Sequence, residues 1–247
     1  MNLFTVITVT YNAQQTLERT IKSVQSQTYE QIEHIIMDGK STDGTIELIK
    51  RLKDENTHWI SEKDSGIYEA MNKSTLLAKG NYICYLNAGD AFYDNKTVEK
   101  LMLASVSNNL PDILYGETVV VNDDGKFLHN RRLRAPLKLN WKSFKQGMLV
   151  CHQAFIINRR IFEPYDLSYK FSSDVDWCIR LMKKSSSIVN THLTLIKYLN
   201  EGVTTANRKA SLKERYQIMS KHYGRFSTFM QHMWFIIRAI VRPEKRS

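Results

Sequence analysis

The chain has 247 residues, 43% of them hydrophobic, with four prolines, ten glycines and a formal net charge of +10. That length buries a sizeable core as one large domain or a domain with a subdomain, and the composition excludes a disordered, collagen-like or low-complexity chain. The charge is uneven: from Arg208 onward there are ten Lys or Arg against Glu214 and Glu244, so the tail holds a surplus of eight.

The opening stretch MNLFTVITVTYN has no basic region ahead of its apolar run, and the run alternates with Thr. It reads as a strand, not a secretory signal, and implies a cytoplasmic protein. Strands are predicted at FTVITVTY, IEHIIMD, HWISEK and YICYLN, from β-branched apolar runs bounded by polar turn residues. Leu17, Ile21 and Val24 share a helical face between the first two, and Ile46, Ile49 and Leu52 do so between the second and third. The third and fourth are joined by DSGIYEAMNKSTLLAKG, in which Asp64 or Ser65 can cap a helix and Gly80 can end it. Strands alternating with helices in this way predict a parallel, doubly wound sheet, because parallel neighbours need crossover helices.

After Asp90 the pattern changes. DNKTVEKLMLASV predicts another helix, DILYGETVVVNDDGKFLHNRRL a β-hairpin turning at Asp124-Gly125, CHQAFIINRRIF a strand, and SSDVDWCIRLMKK a helix burying Val175, Ile179 and Met182. The expected organisation is a nucleotide-type α/β half over 1–110, a mixed half over 111–204, and a basic helical region over 205–247. Cys84, Cys151 and Cys178 are odd in number and set in apolar runs, which predicts buried, reduced thiols.

In a doubly wound sheet, ligand-binding groups collect beyond the carboxyl ends of the strands. Here those ends supply Thr10, Tyr11 and Asn12, then Asp38 with Ser41 and Asp43, then Asp64, Ser65 and Gly66, then Asn87 and Asp90. Any single acid before a helix can be a cap, but four consecutive polar strand ends point to a site. Neither G-x-x-x-x-G-K-[ST] nor G-x-G-x-x-G occurs, which disfavours a P-loop kinase or a dinucleotide dehydrogenase. Without a glycine-rich cradle, a diphosphate needs another neutralising group. A divalent metal held by one or two carboxylates and the phosphate oxygens supplies it, and Asp90, expected at an exposed strand tip, is the candidate ligand.

Six ordered blocks, TVITVTYNAQQTLERTIKSVQSQTY, MDGKSTDGT, EKDSGIYEAMNKS, NYICYLNAGD, CHQAFIINR and SSDVDWCIRL, resemble the family 2 glycosyltransferases of GT-A fold, above all the bacterial members that build exopolysaccharide, capsule or O-antigen. The resemblance implies a Rossmann-like, mostly parallel α/β sheet with a smaller mixed acceptor-side region. It implies that Thr10, Tyr11, Asn12 and Asp38 hold the nucleotide with Ser41 and Asp43 shaping the turn, and that Asp64, Gly66, Asn72 and Asn87 also face the donor. The family's D-x-D metal motif falls on Asn87 to Asp90, leaving Asp90 as the direct ligand for Mn2+ or Mg2+. Where the family often carries Ala-Arg-Asn, this chain has Ala70-Met71-Asn72, so Lys63 or Lys73 would have to replace the arginine. Asp174 matches the catalytic base, which accepts a proton from the acceptor hydroxyl as it attacks the anomeric carbon. His152, Gln153 and Asp176 fall on the acceptor or diphosphate side.

The reading that results is an inverting, metal-dependent hexosyltransferase moving one sugar from a nucleotide diphosphate, UDP rather than GDP, to a polyprenyl-linked saccharide. The processive signature Q-x-x-R-W and an apolar run of membrane-spanning length are both absent from the sequence. In the tail, Phe226, Phe229, Met230, Met233, Ile237, Ile240 and Val241 recur at helical spacing, with Gln231, Arg238 and Arg242 opposite and Phe235 out of pattern. Such a helix either packs on the core or lies on an anionic inner leaflet, and the basic surplus favours the leaflet and a peripheral location. A sugar-nucleotide nucleotidyltransferase is the rival enzyme, disfavoured by the lack of a GGxGTR-like loop. A nucleic-acid-binding protein would explain the basic tail but not the acids at the strand ends, so no nucleic-acid partner is expected.

Overall fold

The structure, a computed structural model, describes residues 2–200 and 207–241, with the side chains of 208 and 235–241 excepted. Phe235, Ile237, Arg238, Ile240 and Val241 as side chains, and Arg242, therefore lie outside the described residues.

Four βα units come first: β1 (Phe4–Thr10), α1 (Leu17–Gln25), β2 (Ile32–Asp38), α2 (Thr45–Leu52), β3 (Thr57–Ser61), α3 (Ile67–Leu77), β4 (Tyr82–Tyr85), a two-residue β5 (Ala91–Phe92) and α4 (Thr97–Ser107). Then follow β6 (Ile113–Val121), β7 (Phe127–Asn130), β8 (Phe155–Asn158), α5 (Ser173–Lys184), β9 (Ile188–Leu199), α6 (Arg208–Tyr223) and α7 (Arg225–Val241). Every residue of β1, β2 and β4 is buried, as expected of central strands covered on both faces.

The nine strands form one sheet in the order β3-β2-β1-β4-β8-β6-β9-β5, with β7 paired to β6. The first four are parallel, whereas β8 is antiparallel to both β4 and β6. The segments before and after residue 110 thus share one sheet, with β8 paired directly to β4. The sheet is parallel over its first four strands and mixed beyond them, as the resemblance to the GT-A fold implies. Leu17, Ile21, Leu48 and Ile49 of α1 and α2 meet Ile36 in a small core, while α3, α4 and α5 contribute to a larger one. The hairpin turns at Asp124-Gly125 as the sequence predicts, closed by Lys126 O accepting from Asn122 N–H. Cys84, Cys151 and Cys178 are buried free thiols.

Beyond the two-residue β5, which the sequence does not predict, α3 and β9 differ from expectation. Helix α3 starts after Gly66, whose φ of 138° favours glycine, and Glu69 reaches back to the Ser65 N–H at 2.6 Å; Asp64 and Ser65 do not cap it. Strand β9 has no counterpart in the sequence reading. Its register against β6 shifts twice and His192 sits at φ 57°, so the strand lacks an unbroken two-residue alternation.

Candidate active site

A cavity of about 720 Å3 opens beyond the carboxyl ends of β1 and β4. Thr10 and Tyr11 line it from β1, Asp64 and Gly66 from the turn before α3, Asn87 and Asp90 from the turn after β4, and Gln153 from across the sheet. Tyr11, 64% exposed, offers an aromatic face at the rim. Among the described residues, Thr10 Oγ1 and Asn87 Oδ1 are buried without a hydrogen-bond partner in the protein. Buried polar atoms are nearly always paired, so two unpaired ones in one cavity mark where a ligand would supply the missing contacts.

The acid-bearing turn is built tightly. Gly89 adopts φ 96°, and a Cβ there would stand 2.7 Å from Leu199 Cδ2, so the turn needs glycine twice over. The Arg19 guanidinium fixes it from outside: Nε donates to Gly89 O at 2.8 Å, and Nη1 donates to Asn122 O and Asp123 O at 3.0 Å. Asp90 is 3% exposed, which corrects the expectation of an exposed tip. Its Oδ1 accepts from Leu199 N–H at 2.9 Å and its Oδ2 from Gln153 Nε2 at 2.8 Å. Burial pushes its pKa up to about 7, outweighing those two donors and the nearby charge of Arg19.

This donor set fits a divalent cation of the oxygen-loving kind. Among the described residues no group of three His, Cys, Asp or Glu stands together, so a cage made by protein alone is not present. A metal held by Asp90 and by the unpaired Asn87 Oδ1, and completed by phosphate oxygens and water, is the arrangement expected when substrate supplies part of the coordination. A cation there would also stabilise the ionised form of a carboxylate that burial disfavours.

Asp174 lies half-buried in the first turn of α5, where the helix dipole suits an acid. Its Oδ1 accepts from the Tyr68 hydroxyl at 3.1 Å, and Tyr68 in turn lines the cavity. Asp174 is not itself among the lining residues and is joined to them through the Tyr68 hydroxyl. Tyr68 stacks on Tyr165, which stacks on Trp177 with centroids 4.7 Å apart, so α3 and α5 are locked through aromatic faces.

Several sequence-predicted site residues turn out to build the site without lining it. Asp38 is fully buried; its carboxylate accepts from Ser41 Oγ, from Ser41 N–H at 3.0 Å and from Ser61 Oγ at 2.6 Å. Asn12 adopts φ 48° and clips the two turns together, with Oδ1 accepting from Thr42 N–H at 2.9 Å while its own N–H donates to Ser41 Oγ at 2.8 Å. Asp43 takes up the Thr45 and Gln14 N–H groups. Asn72 holds Tyr165 by both main-chain groups, at 2.7 and 3.1 Å, and so braces α3 against the chain before α5.

On the acceptor side, two expectations are corrected. His152 is enclosed between Tyr85, Tyr165 and Trp177, with Nε2 bonded to the Tyr165 hydroxyl, and burial lowers its pKa to about 4. A neutral, walled-in imidazole positions neighbours and cannot touch an acceptor. Asp176, 0% exposed, is bound by Arg180 at 2.6 Å, His222 at 2.8 Å and Lys221 at 3.3 Å, so it anchors α6 to α5. Lys73 is held by Glu62 and Glu69 at 2.8 and 3.1 Å, and Lys63 does not line the cavity, so neither stands in for the missing arginine.

The model of the glycosyl transferase family 2 matches residues 5–165, which contain β1 to β8 and the cavity's strand-end groups. The chain belongs to that family. Among curated relatives of this family 2 glycosyltransferase is the PGL/p-HBAD biosynthesis glycosyltransferase of Mycobacterium bovis, 26% identical over 205 residues, 81% of this chain and 77% of the relative. The Escherichia coli UDP-Glc:alpha-D-GlcNAc-diphosphoundecaprenol beta-1,3-glucosyltransferase WfgD is 24% identical over 223 residues, covering 88% and 85% of the two chains. Among solved structures, S. aureus TarS 1-349 in complex with UDP-GlcNAc superposes with TM-score 0.70 at 15% identity, over 97% of this chain and 73% of that one. The Pyrobaculum calidifontis mannosyltransferase PcManGT, in complex with GDP-Man and Mn2+, gives TM-score 0.64 at 14% identity, over 89% and 64%.

The glycosyltransferase cavity has walls that the sequence did not reveal. Tyr198 and Leu199 come from the unforeseen β9, and Leu167, Tyr169, Lys170 and Phe171 from an irregular strap ahead of α5. The strap carries no periodic signal; only its position just before the acid-rich start of α5 could have drawn attention to it.

Proposed function

We propose that this glycosyltransferase transfers a single hexosyl unit, with inversion, from a UDP-sugar to a polyprenyl-linked saccharide in cell-surface polysaccharide assembly. The observation that carries the reading is the cavity itself: an aromatic rim at Tyr11, unpaired buried oxygens on Thr10 and Asn87, and a buried carboxylate on Asp90, all beyond the strand ends. The donor and acceptor in WfgD's name support a UDP-sugar and a lipid diphosphate acceptor.

Asp90 and Asn87 would hold Mn2+ or Mg2+ against the donor's diphosphate; bound there, the metal supplies charge neutralisation for the departing nucleotide. Tyr11 carries the base and Thr10 bonds to the nucleoside. Asp174 takes the proton of the acceptor hydroxyl as it attacks the anomeric carbon from the face opposite the diphosphate, which inverts that centre. Tyr68 orients the Asp174 carboxylate through its hydroxyl. Asn87 and Asp64 complete the donor side, and Gln153 holds Asp90 in place.

A peripheral seat on the anionic inner leaflet is supported by the way α7 is turned. Its inward side carries Thr228, 1% exposed, and His232, whose ring meets Tyr216 of α6. Its outward side carries Phe226, Met230 and Trp234, at 79%, 53% and 57% exposure. A helix that packs polar groups inward and apolar ones outward is suited to a lipid interface and not to a core. Among the described residues no helix is long and apolar enough to cross a membrane.

The test is titration calorimetry of UDP, GDP, CDP and dTDP with and without Mn2+ or Mg2+. UDP binding that requires the metal is expected, and a protein that binds none of the four with either metal would refute the reading.

A further inference from the structure

The cavity is acidic where a diphosphate must sit. Asp64, Glu69 and Asp90 line it, and among the described residues that line it only Lys170 is a cation. Arg19 and Arg131, the nearby guanidinium groups, are both spent on main-chain carbonyls, Arg131 on Met148, Leu149 and Leu133. With Glu69 already paired to Lys73, a single divalent ion beside Asp64 and Asp90 still leaves a doubly charged diphosphate short of positive partners.

Lys170 belongs to the strap, and the strap is fastened to one face of α6. Glu214 accepts from Lys170 N–H at 2.9 Å and from Phe171 N–H at 2.8 Å. Ser211 Oγ meets Ser172 Oγ at 2.9 Å, and Lys221 pairs with Asp166 at 3.6 Å while lying 5.6 Å from the Tyr169 ring centroid. Ser211, Glu214, Ile218 and Lys221 follow helical spacing, so one stripe of α6 grips the strap at both ends around the buried Ile218. A carboxylate accepting two consecutive main-chain N–H groups fixes the backbone from which Lys170 projects.

We infer that Lys170 is the cationic contact for the donor's diphosphate and that Glu214, from the carboxyl-terminal helix, is the residue that positions it. This rests on the nucleotide-sugar reading of the cavity and adds to it a segment that lies beyond the residues matched by the family. It also gives α6 a task in donor binding, through a helix with no apolar stripe of its own.

Titration of UDP and of uridine, with Mg2+ present, into wild type, Lys170→Met, Lys170→Arg and Glu214→Gln tests it. Lys170→Met is expected to lose about tenfold or more in UDP affinity, the scale of one charge-assisted contact, with uridine unaffected. Lys170→Arg is expected to restore most of that loss. Glu214→Gln keeps one acceptor oxygen, and is expected to show a smaller loss confined to UDP, raising KM for the donor more than it lowers kcat. Lys170 is exposed, so its substitution does not threaten folding. Wild-type UDP affinity in Lys170→Met, or equal losses for UDP and uridine, would overturn the contact. Unchanged UDP affinity in Glu214→Gln would overturn the positioning role. A wild-type protein that binds no nucleoside diphosphate would instead overturn the donor reading, and this inference with it.

Discussion

Gln153 donates its side-chain amide to Asp90 Oδ2 at 2.8 Å, joining the turn after β4 to the chain just before β8. The same amide's oxygen accepts from the Cys151 thiol, so Gln153 is locked at both ends and cannot turn away. The acid at the floor of the cavity is thus held by the mixed half of the sheet, not by its own strand alone.

Asp90→Asn is expected to abolish the metal dependence of UDP binding while leaving the fold intact, since the amide oxygen can still accept at least one of the two hydrogen bonds. Asp90→Ala is a different experiment: it orphans the Leu199 N–H and the Gln153 amide, costing about 1–3 kcal/mol for each buried group left unsatisfied. Calorimetry with Mn2+, beside urea unfolding of both variants, separates ligand loss from fold loss. Unchanged metal dependence in Asp90→Asn would remove Asp90 from the site.

The two acids of α5 should separate cleanly. Asp174→Asn is expected to keep UDP affinity and lose turnover by about 100-fold or more, the scale of a missing general base. Asp176→Asn is expected to lower stability by several kcal/mol, since it leaves Arg180, His222 and Lys221 facing a neutral amide, and breaking a buried ion pair costs about 3–5 kcal/mol. If Asp176→Asn folds normally and is the inactive variant, the assignment of the base is wrong.

Much of the parallel half was legible because β1, β2 and β4 are short runs rich in β-branched and apolar residues, and α1 and α2 keep a clean apolar stripe. Strand ends could then be read as site positions, and Thr10, Tyr11, Asp64, Gly66, Asn87, Asp90 and Gln153 do meet at one cavity. What one dimension cannot show is which way a polar strand-end group turns. Asp38 and Asn12 sit at the same level as Thr10 but spend their hydrogen bonds on neighbouring turns. His152 differs from Gln153 by one residue, yet the first is sealed among aromatic rings and the second reaches the cavity. Tyr198 and Lys170 were missed for another reason: β9 is bulged, the strap is irregular, and long-range pairing alone brings them to the site.

Stability should fall with acid, and by a slope that Asp90 moderates. Burial holds His34 and His152 to about 4, against an ordinary 6.5, so each takes up a proton when the protein unfolds between those values. Their contribution is complete above pH 6.5 and is lost as pH falls toward 4. Asp90, raised to about 7, has the opposite sign: in that window it carries a proton in the folded protein and releases it on unfolding. Net uptake is about one proton, or about 1.4 kcal/mol of stability per pH unit below pH 6. Asp90→Asn removes the offset and should bring the slope to about 2.7 kcal/mol per unit. Urea unfolding in chelator at several pH values from 6 to 5 measures it, and equal slopes in the two proteins would mean that Asp90 is ionised in the fold.

The outward face of α7 should be needed for lipid and dispensable for the fold. Phe229 is 52% exposed and Trp234 57%, so a Phe229→Ser, Trp234→Ser double variant removes apolar area that no described neighbour covers. If the face rests on an anionic leaflet, vesicles containing phosphatidylglycerol should float the wild-type protein and release the variant, while circular dichroism and UDP affinity stay unchanged. Insertion draws on buried apolar area, and each Lys or Arg near an anionic surface adds about 1 kcal/mol, so binding should also weaken with salt and with neutral lipid. Deleting the chain from Phe226 onward should have the same effect on flotation, because α6 keeps its own anchors through Asp176, Glu214 and Ser172. A core-packing helix gives the reverse: the double variant and the truncation would lower the unfolding midpoint, and vesicles would make no difference. Wild-type protein that ignores anionic vesicles would defeat the leaflet reading and leave the transferase reading standing.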